Sequence, residues 1–421
     1  MDKNIQLQDE EYKNYIEKTI EEYNNNGKKT IAYMCDTYYP IVDGVIKVME
    51  NYAVKISEHY NVVMIVPKHK NKEIVPHEKF LVIGISGMYF KFVNYDLAFP
   101  EMDSYLKNTL KKLRIDIIHC HSPFNVGSFA AKLAKKRNIP FVMTMHSQYK
   151  QDFLKYTKSE PLAKMLTKRI CRVFNKTTEV WTMHEKASQT LQSYGYKGNN
   201  FFYIRNATDY KVPNNPDKLI EELNKDYNIS PDEPVFLFVG RLVNQKNIQF
   251  ILEGLNILNN KGINFKMFFV GDGPDKKELE ENIKKFNLEN KVYLTGLIKS
   301  REELSKYYQR ANLFLFPSVY DTSSIVQIES ACFKTPAVFV KDTVTACGVK
   351  HNHSGYLCEE NLESFTETII NAISDKENLN KVSETAHKEL YITWDDVKKQ
   401  AYERYEYLIE ENKKKLNSEE K

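Results

Sequence analysis

Short apolar runs alternate with amphipathic stretches along most of this chain, in two consecutive sets, and that alternation limits the architecture to α/β. The first set lies at 30–35, 62–66, 80–84, 115–120, 141–145, 179–182 and 201–204. The second lies at 235–239, 266–270, 292–294, 313–316 and 337–340. Each run is short and continuously apolar, as strands buried on both faces are, so the pattern predicts two open parallel sheets covered by helices. Between the sets, RNATDY leads into the Pro- and Asn-rich KVPNNPDK, a linker by composition. The expected organisation is one doubly wound domain over 30–205 and a second over 206–393. Residues 1–29 read as a solvated helical extension or frayed tail without chemistry, and 394–421 as a long charged helix packing back toward the first domain. Ligands of open α/β sheets sit beyond the strands' carboxyl ends, so two such domains facing each other would share a cleft.

Of the 421 residues, 42% are hydrophobic and 28% charged, and no apolar run approaches the roughly 18 residues of a membrane span. The charged, polar start offers neither a secretory signal nor a lipidation motif, so a cytoplasmic protein is expected. Cys35, Cys120, Cys171, Cys332, Cys347 and Cys358 lack CxxC spacing and fall mostly in apolar context, as buried free thiols do. Charge is shared unevenly. Lys plus Arg against Asp plus Glu is 5 to 7 in residues 1–29, 26 to 14 in 30–205 and 29 to 35 in 206–421. A basic first half joined to an acidic second half implies different partners for the two. A helical reading of 161–176 sets Leu162, Met165, Leu166, Ile170, Val173 and Phe174 on one apolar face and Lys164, Lys168, Arg172 and Lys176 on another. Those cations form either an ordinary solvated face or a contact for an anionic membrane surface.

Chemistry concentrates at predicted strand ends. After the run at 313–316, the polar residues Asp321, Thr322, Ser323 and Ser324 precede an apolar-periodic helix. The first-turn N–H groups of Ser324, Ile325 and Val326 would be unpaired and suited to an anion, with Glu329 two turns beyond Asp321. Simple N-capping by Asp321 or a serine, with Glu329 an ordinary helix charge, is equally open. In VGRLVNQKN, Arg241 and Lys246 follow the first strand of the second domain and suit a diphosphate, or are plain surface cations. VGDGP turns a strand at Gly271 and Gly273, a weak signal without GxGxxG. In the first domain, His119 and His121 close one strand and His146 the next. By period His119 and His121 share a side of the sheet, so a polar cluster is expected, with His119 alternatively a packed core histidine. No metal is expected, because close carboxylates and any Asp-x-Asp pair are missing.

Taken together, these features resemble glycosyltransferase family 4, the retaining enzymes that use nucleotide sugars, over roughly residues 30–410. GRLVNQKN is similar to the family's GR-loop-K, DTSSIVQIE stands where the family has E-x7-E, and RNATD resembles its PNGVD. The resemblance implies a GT-B fold, two Rossmann-like domains facing across a cleft. It implies that Arg241 and Lys246 grip the donor diphosphate and that Ser324, Ile325 and Val326 offer it main-chain amides. Glu329 would hold the ribose hydroxyls and Asp321 the transferred sugar, while Gly44 and Gly271 approach the donor. His121, His146 and Tyr149 would line the acceptor side, and His121, Arg241, Lys246 and Asp321 form the catalytic set. The implied activity is transfer of a hexose with retention, from a nucleotide diphosphate sugar and by preference a UDP-sugar. The implied acceptor is a diacylglycerol-type glycolipid or a cell-surface glycan. No cofactor, metal or nucleic acid is implied, and the basic first domain adds the expectation of peripheral attachment to the inner face of an anionic membrane. Asp321 is a methylene shorter than the family's glutamate, and Asp43, Ala207, Asn247 and Ser324 stand where glycine is usual. These departures leave open a catalytically silent member that binds a glycan or a partner subunit.

Overall fold

The computed structural model describes residues 3–39, 44–68, 76–90, 95–213, 215–319 and 325–419. They form two compact units, Met1–Arg205 with Trp394–Lys421, and Asn206–Thr393.

The first unit runs α1 (Lys3–Asn25), β1 (Thr30–Met34), α2 (Gly44–Ile56), β2 (Asn61–Lys68), β3 (Leu81–Phe90), β4 (Tyr95–Ala98), α3 (Ser104–Lys112) and β5 (Ile117–Cys120). It continues with α4 (Asn125–Arg137), β6 (Phe141–Thr144), α5 (Tyr149–Thr157), α6 (Glu160–Phe174), β7 (Glu179–Thr182), α7 (Glu185–Ser193) and β8 (Phe201–Tyr203). Its sheet has the order β4-β3-β2-β1-β5-β6-β7-β8, parallel except for antiparallel β4. The second unit comprises α8 (Pro216–Asp226), β9 (Val235–Val239), α9 (Ile248–Asn260), β10 (Lys266–Val270), α10 (Lys276–Lys285), β11 (Val292–Gly296) and α11 (Arg301–Arg310). Then follow β12 (Leu313–Leu315), α12 (Ile325–Cys332), β13 (Ala337–Val340), β14 (Tyr356–Cys358), α13 (Leu362–Ser374) and α14 (Lys376–Leu390), around a parallel sheet ordered β11-β10-β9-β12-β13-β14. Each apolar run named from the sequence has a strand. Strands β4 (YDLA) and β14 (YLC) were not anticipated, because neither is part of a longer uninterrupted aliphatic or aromatic run of the kind that marked the equally short β8 and β12.

In both sheets the chain winds outward on one side of its first strand and then crosses to the other, from β4 past β1 to β5 and from β11 past β9 to β12. The loops leaving β1 and β5, and those leaving β9 and β12, therefore part in opposite directions at the strands' carboxyl ends. A crevice opens there within each unit.

Two expectations need correction. Helix α1 is no frayed tail: Ile16 and Ile20, one turn apart, are buried in the first unit's core. The Tyr12 and Tyr23 hydroxyls donate to the carbonyls of Val82 and Val62. In α6 the buried face is instead Ala163, Thr167, Ile170, Cys171, Val173 and Phe174, while Leu162 and Met165 are exposed. Small side chains at 163 and 167 let this face lie close to its neighbours, and the helical period then turns 162 and 165 outward. The cysteines are free thiols, all buried except the partly buried Cys347. Among the described residues no helix is long and apolar enough to cross a membrane.

The last helix, α15 (Trp394–Glu419), belongs to the first unit. Trp394 meets the Tyr52 ring edge-on at 5.5 Å, and Tyr405 stacks on Trp181 at 5.0 Å. The Arg404 guanidinium forks onto the buried Glu179 carboxylate, which also accepts from Trp181 Nε1 at 2.7 Å. Arg404→Ala would leave Glu179 buried without its cation. It is expected to cost about 3 kcal/mol in urea unfolding of the full chain.

Candidate active site

In the second unit the exits of β9 and β10 are zipped together by main-chain bonds. Gly240 N–H donates to Val270 O at 2.9 Å and Leu242 N–H to Asp272 O at 3.0 Å. A Cβ on Gly271 (φ 144°) would fall 1.9 Å from Gly240 O, and one on Gly273 would fall 2.2 Å from Leu242 O. The strand–Gly–turn signal thus has a physical cause: only glycine lets the two loops approach so closely. That approach holds Arg241 exposed at the strand mouth. Lys246 ends a short 3-10 turn, its ammonium 5.2 Å from the Phe316 ring centroid. Asn247 sits in the left-handed region (φ 58°) and its Nδ2 donates to Pro317 O at 2.8 Å, tying this loop to the exit of β12. Asparagine tolerates that conformation better than other non-glycine residues, so the departure at 247 preserves the turn.

Helix α12 opens at Ile325 and Val326, whose N–H groups precede any i−4 carbonyl of the helix. Asp321 and Ser324 lie outside the described residues, as does Asp43. Glu329, one turn into α12, accepts from the Tyr308 hydroxyl at 2.9 Å. Tyr308 is fully buried, and burial, reinforced by Glu329, pushes its hydroxyl pKa far up, so it remains a donor. Arg241, Gly271 and the segment leading to Ile325 thus leave three neighbouring strands, β9, β10 and β12, at the same edge.

In the first unit the three histidines stack: His119 on His121 at 4.4 Å and His121 on His146 at 5.1 Å between ring centroids. His119 is a core residue. Its Nδ1 bonds the Tyr405 hydroxyl at 2.6 Å and its Nε2 the Thr144 hydroxyl at 2.7 Å. His121 Nδ1 lies 2.8 Å from His146 Nε2, while its own Nε2 is buried with no partner among the described residues. Burial lowers the pKa of all three, that of His146 to about 3, so the stack is neutral at pH 7. Gly44 begins α2, and a Cβ there would meet nothing within 4 Å, so packing inside this unit does not require glycine. Tyr149 packs its ring on Phe124 and Phe174 and is almost wholly buried, which leaves little of it for an acceptor to touch.

Two contributors escaped the sequence reading. Asp36, at the end of β1, accepts from Ser122 Oγ at 2.7 Å and from Val126 N–H at 2.9 Å, capping α4 and fixing the loop after His121. Burial lifts its pKa to about 6 against those bonds. Tyr308 orients Glu329 from another helix. Neither has a local signature, since each acts on a residue distant in sequence.

Family models for Glycosyltransferase Family 4 and Glycosyl transferases group 1 match residues 42–212 and 220–389. The chain belongs to the family-4, group 1 glycosyltransferases. An alpha-monoglucosyldiacylglycerol synthase from Acholeplasma laidlawii is 24% identical over 92% of this chain and 99% of that protein. One from Streptococcus pneumoniae is 25% identical over 73% of this chain and 70% of its own length. Among solved structures, Anabaena HepE in complex with UDP aligns with a TM-score of 0.73 at 15% identity, covering 90% of this chain and all of that one. Sucrose-phosphate synthase from Thermosynechococcus elongatus aligns at 0.72 and 17%, covering 90% and 99%. The fold is therefore GT-B.

The neutral histidines give this glycosyltransferase an acid-sensitive first unit. Unfolding frees imidazoles that bind protons below about pH 6.5, whereas the folded ones stay unprotonated, so stability is full above that pH and is lost as pH falls. Each contributes up to about 1.4 kcal/mol per pH unit. Asp36 opposes this with one proton, since its raised pKa favours the folded state as pH drops through about 6. The melting temperature should fall between pH 7.5 and pH 5.5, and His146→Gln should shrink the difference.

Proposed function

We propose that the protein is a retaining, metal-independent hexosyltransferase that moves a sugar from a nucleotide diphosphate donor, most simply UDP-linked, to a diacylglycerol-type glycolipid acceptor at a membrane surface. The observation that carries this reading is that Arg241 and Lys246 follow β9, with Lys246 against Phe316 at the exit of the neighbouring β12, while Glu329, braced by Tyr308, lies on the helix after β12. The Acholeplasma and Streptococcus relatives, named as glucosyldiacylglycerol synthases, support the acceptor class. The Anabaena HepE structures with UDP and UDP-glucose support the donor class.

In this reading Arg241 and Lys246 neutralise the diphosphate as it takes up charge on leaving, and the Ile325 and Val326 amides add dipolar stabilisation. Glu329, held by Tyr308, accepts from the ribose hydroxyls, and Asp321 contacts the transferred sugar. The bond from the sugar's anomeric carbon to phosphate breaks, and the acceptor oxygen bonds to that carbon on the same face. The acceptor's proton passes to the leaving phosphate, so no enzymic nucleophile is needed. His121, kept neutral by burial, sits beneath the acceptor side with its Nδ1 on His146, the more exposed of the two rings. The basic first domain brings the enzyme to anionic lipid.

The reading is tested by screening nucleotide sugars with mass detection of product. Turnover of a UDP-hexose onto diacylglycerol is expected, and no turnover or binding of any donor would sink it. Arg241→Ala and Lys246→Ala should each weaken UDP binding by about tenfold or more, the worth of a charge-assisted contact. Tyr308→Phe should weaken UDP binding about threefold to tenfold while leaving a 2′,3′-dideoxy analogue unaffected, because only the ribose contact is loosened.

A further inference from the structure

Helices α5 and α6 form a hairpin whose tip carries Tyr156, Leu162 and Met165, which are 80%, 40% and 58% exposed. Large apolar side chains this exposed, near the adjoining ends of two helices, are unusual on a surface meeting only water. Phe124, 42% exposed, leans edge-on against Tyr149 and Phe153 and extends the apolar strip along α5. On α6, Leu162, Met165, Arg169 and Arg172 recur at helical spacing on the face opposite the buried one, apolar at the tip and cationic behind it. Residues 149–176 hold eight Lys or Arg against Asp152 and Glu160. Glu160 is paired with Lys150 at 2.7 Å, and the Lys155 ammonium lies 5.9 Å from the Tyr156 ring centroid.

We propose that this hairpin tip enters the interfacial layer of an anionic bilayer, Tyr156, Leu162 and Met165 among the upper acyl carbons and the α6 cations on lipid phosphates. The proposal names the element behind the membrane attachment suggested above, and it rests on that attachment. Charge complementarity selects lipid over a protein partner: a ring of cations around an apolar tip matches an anionic headgroup layer over hydrocarbon. An aromatic residue with a polar end suits the interface, and the long cationic side chains reach back to it. Continuity with the candidate site agrees. Helix α5 starts three residues after His146 and spans about 14 Å, so a tip seated in the headgroups keeps the acceptor histidines within reach of a lipid hydroxyl.

The test uses the full chain with vesicles of phosphatidylcholine alone or with phosphatidylglycerol, read by co-sedimentation. Leu162→Glu/Met165→Glu should lower the partition constant on phosphatidylglycerol vesicles at least tenfold. Lys168→Glu/Arg172→Glu should lower it about fivefold or more per cation, an effect that fades with salt. All four positions are already exposed, so circular dichroism and UDP binding should stay as in the unsubstituted protein. Tyr156→Trp supplies a local probe, because Trp181 and Trp394 are buried. The introduced indole's emission should shift blue on vesicles and be quenched by brominated lipid. Unchanged partitioning of the Leu162→Glu/Met165→Glu protein, or water-like emission from the introduced indole on vesicle-bound Tyr156→Trp protein, overturns the proposal. So does loss of a dimer in sedimentation velocity with vesicle binding intact, which would make the tip a protein contact. UDP titration separates the two readings, since absent nucleotide binding removes the transferase and leaves the vesicle result standing.

Discussion

The reversal of winding direction beside β1 and beside β9 is the constraint on which the candidate site depends. A right-handed crossover can return to either side of a starting strand, and where consecutive crossovers choose opposite sides no loop covers the gap. Everything with chemical potential gathers at those gaps: Asp36 and His121 where β1 and β5 part, Arg241, Lys246 and the start of α12 where β9 and β12 part. Two glycines and an asparagine then set the fine geometry in the second unit. Gly271 and Gly273 let two loops touch, and Asn247 turns the chain through a left-handed residue toward Pro317.

Most of the architecture was legible because strands buried on both faces announce themselves as uninterrupted apolar runs. The same logic explains where reading failed. Helix α1 contributes only a narrow apolar stripe within a charged segment, so Ile16 and Ile20 did not stand out. Helix α6 misled in the opposite way. Counting large apolar residues assigned Leu162 and Met165 to the core, whereas the core selected the smaller Ala163, Thr167 and Cys171, and the larger pair was left to solvent. Volume available at a helix contact, rather than hydrophobicity alone, decided the buried face.

At the site, charge and spacing pointed to Arg241, Lys246 and Glu329, which lie on the segments that follow β9 and β12, and strand ends pointed to His121 and His146, whose rings stack. His119 proved to be the packed core histidine, with both ring nitrogens satisfied. Tyr149, read as an acceptor contact, is sealed by aromatic rings. The supporting residues were out of reach because their partners lie far along the chain: Tyr308 from Glu329, Asp36 from Val126, Tyr405 from His119. The departure at Asn247 is accounted for by its backbone conformation, and nothing in the structure explains Ala207.

The pairing of Arg404 with Glu179 spans 225 positions of chain. On a ribosome adding about 5–20 residues per second, strand β7 emerges roughly ten seconds or more before the helix that neutralises its carboxylate and roofs Trp181. For that interval the nascent first unit is an unfinished sheet with a sticky indole side, the kind of surface a holdase chaperone recognises. Synthesis of the entire second unit intervenes, so it has time to fold on its own before the first can close.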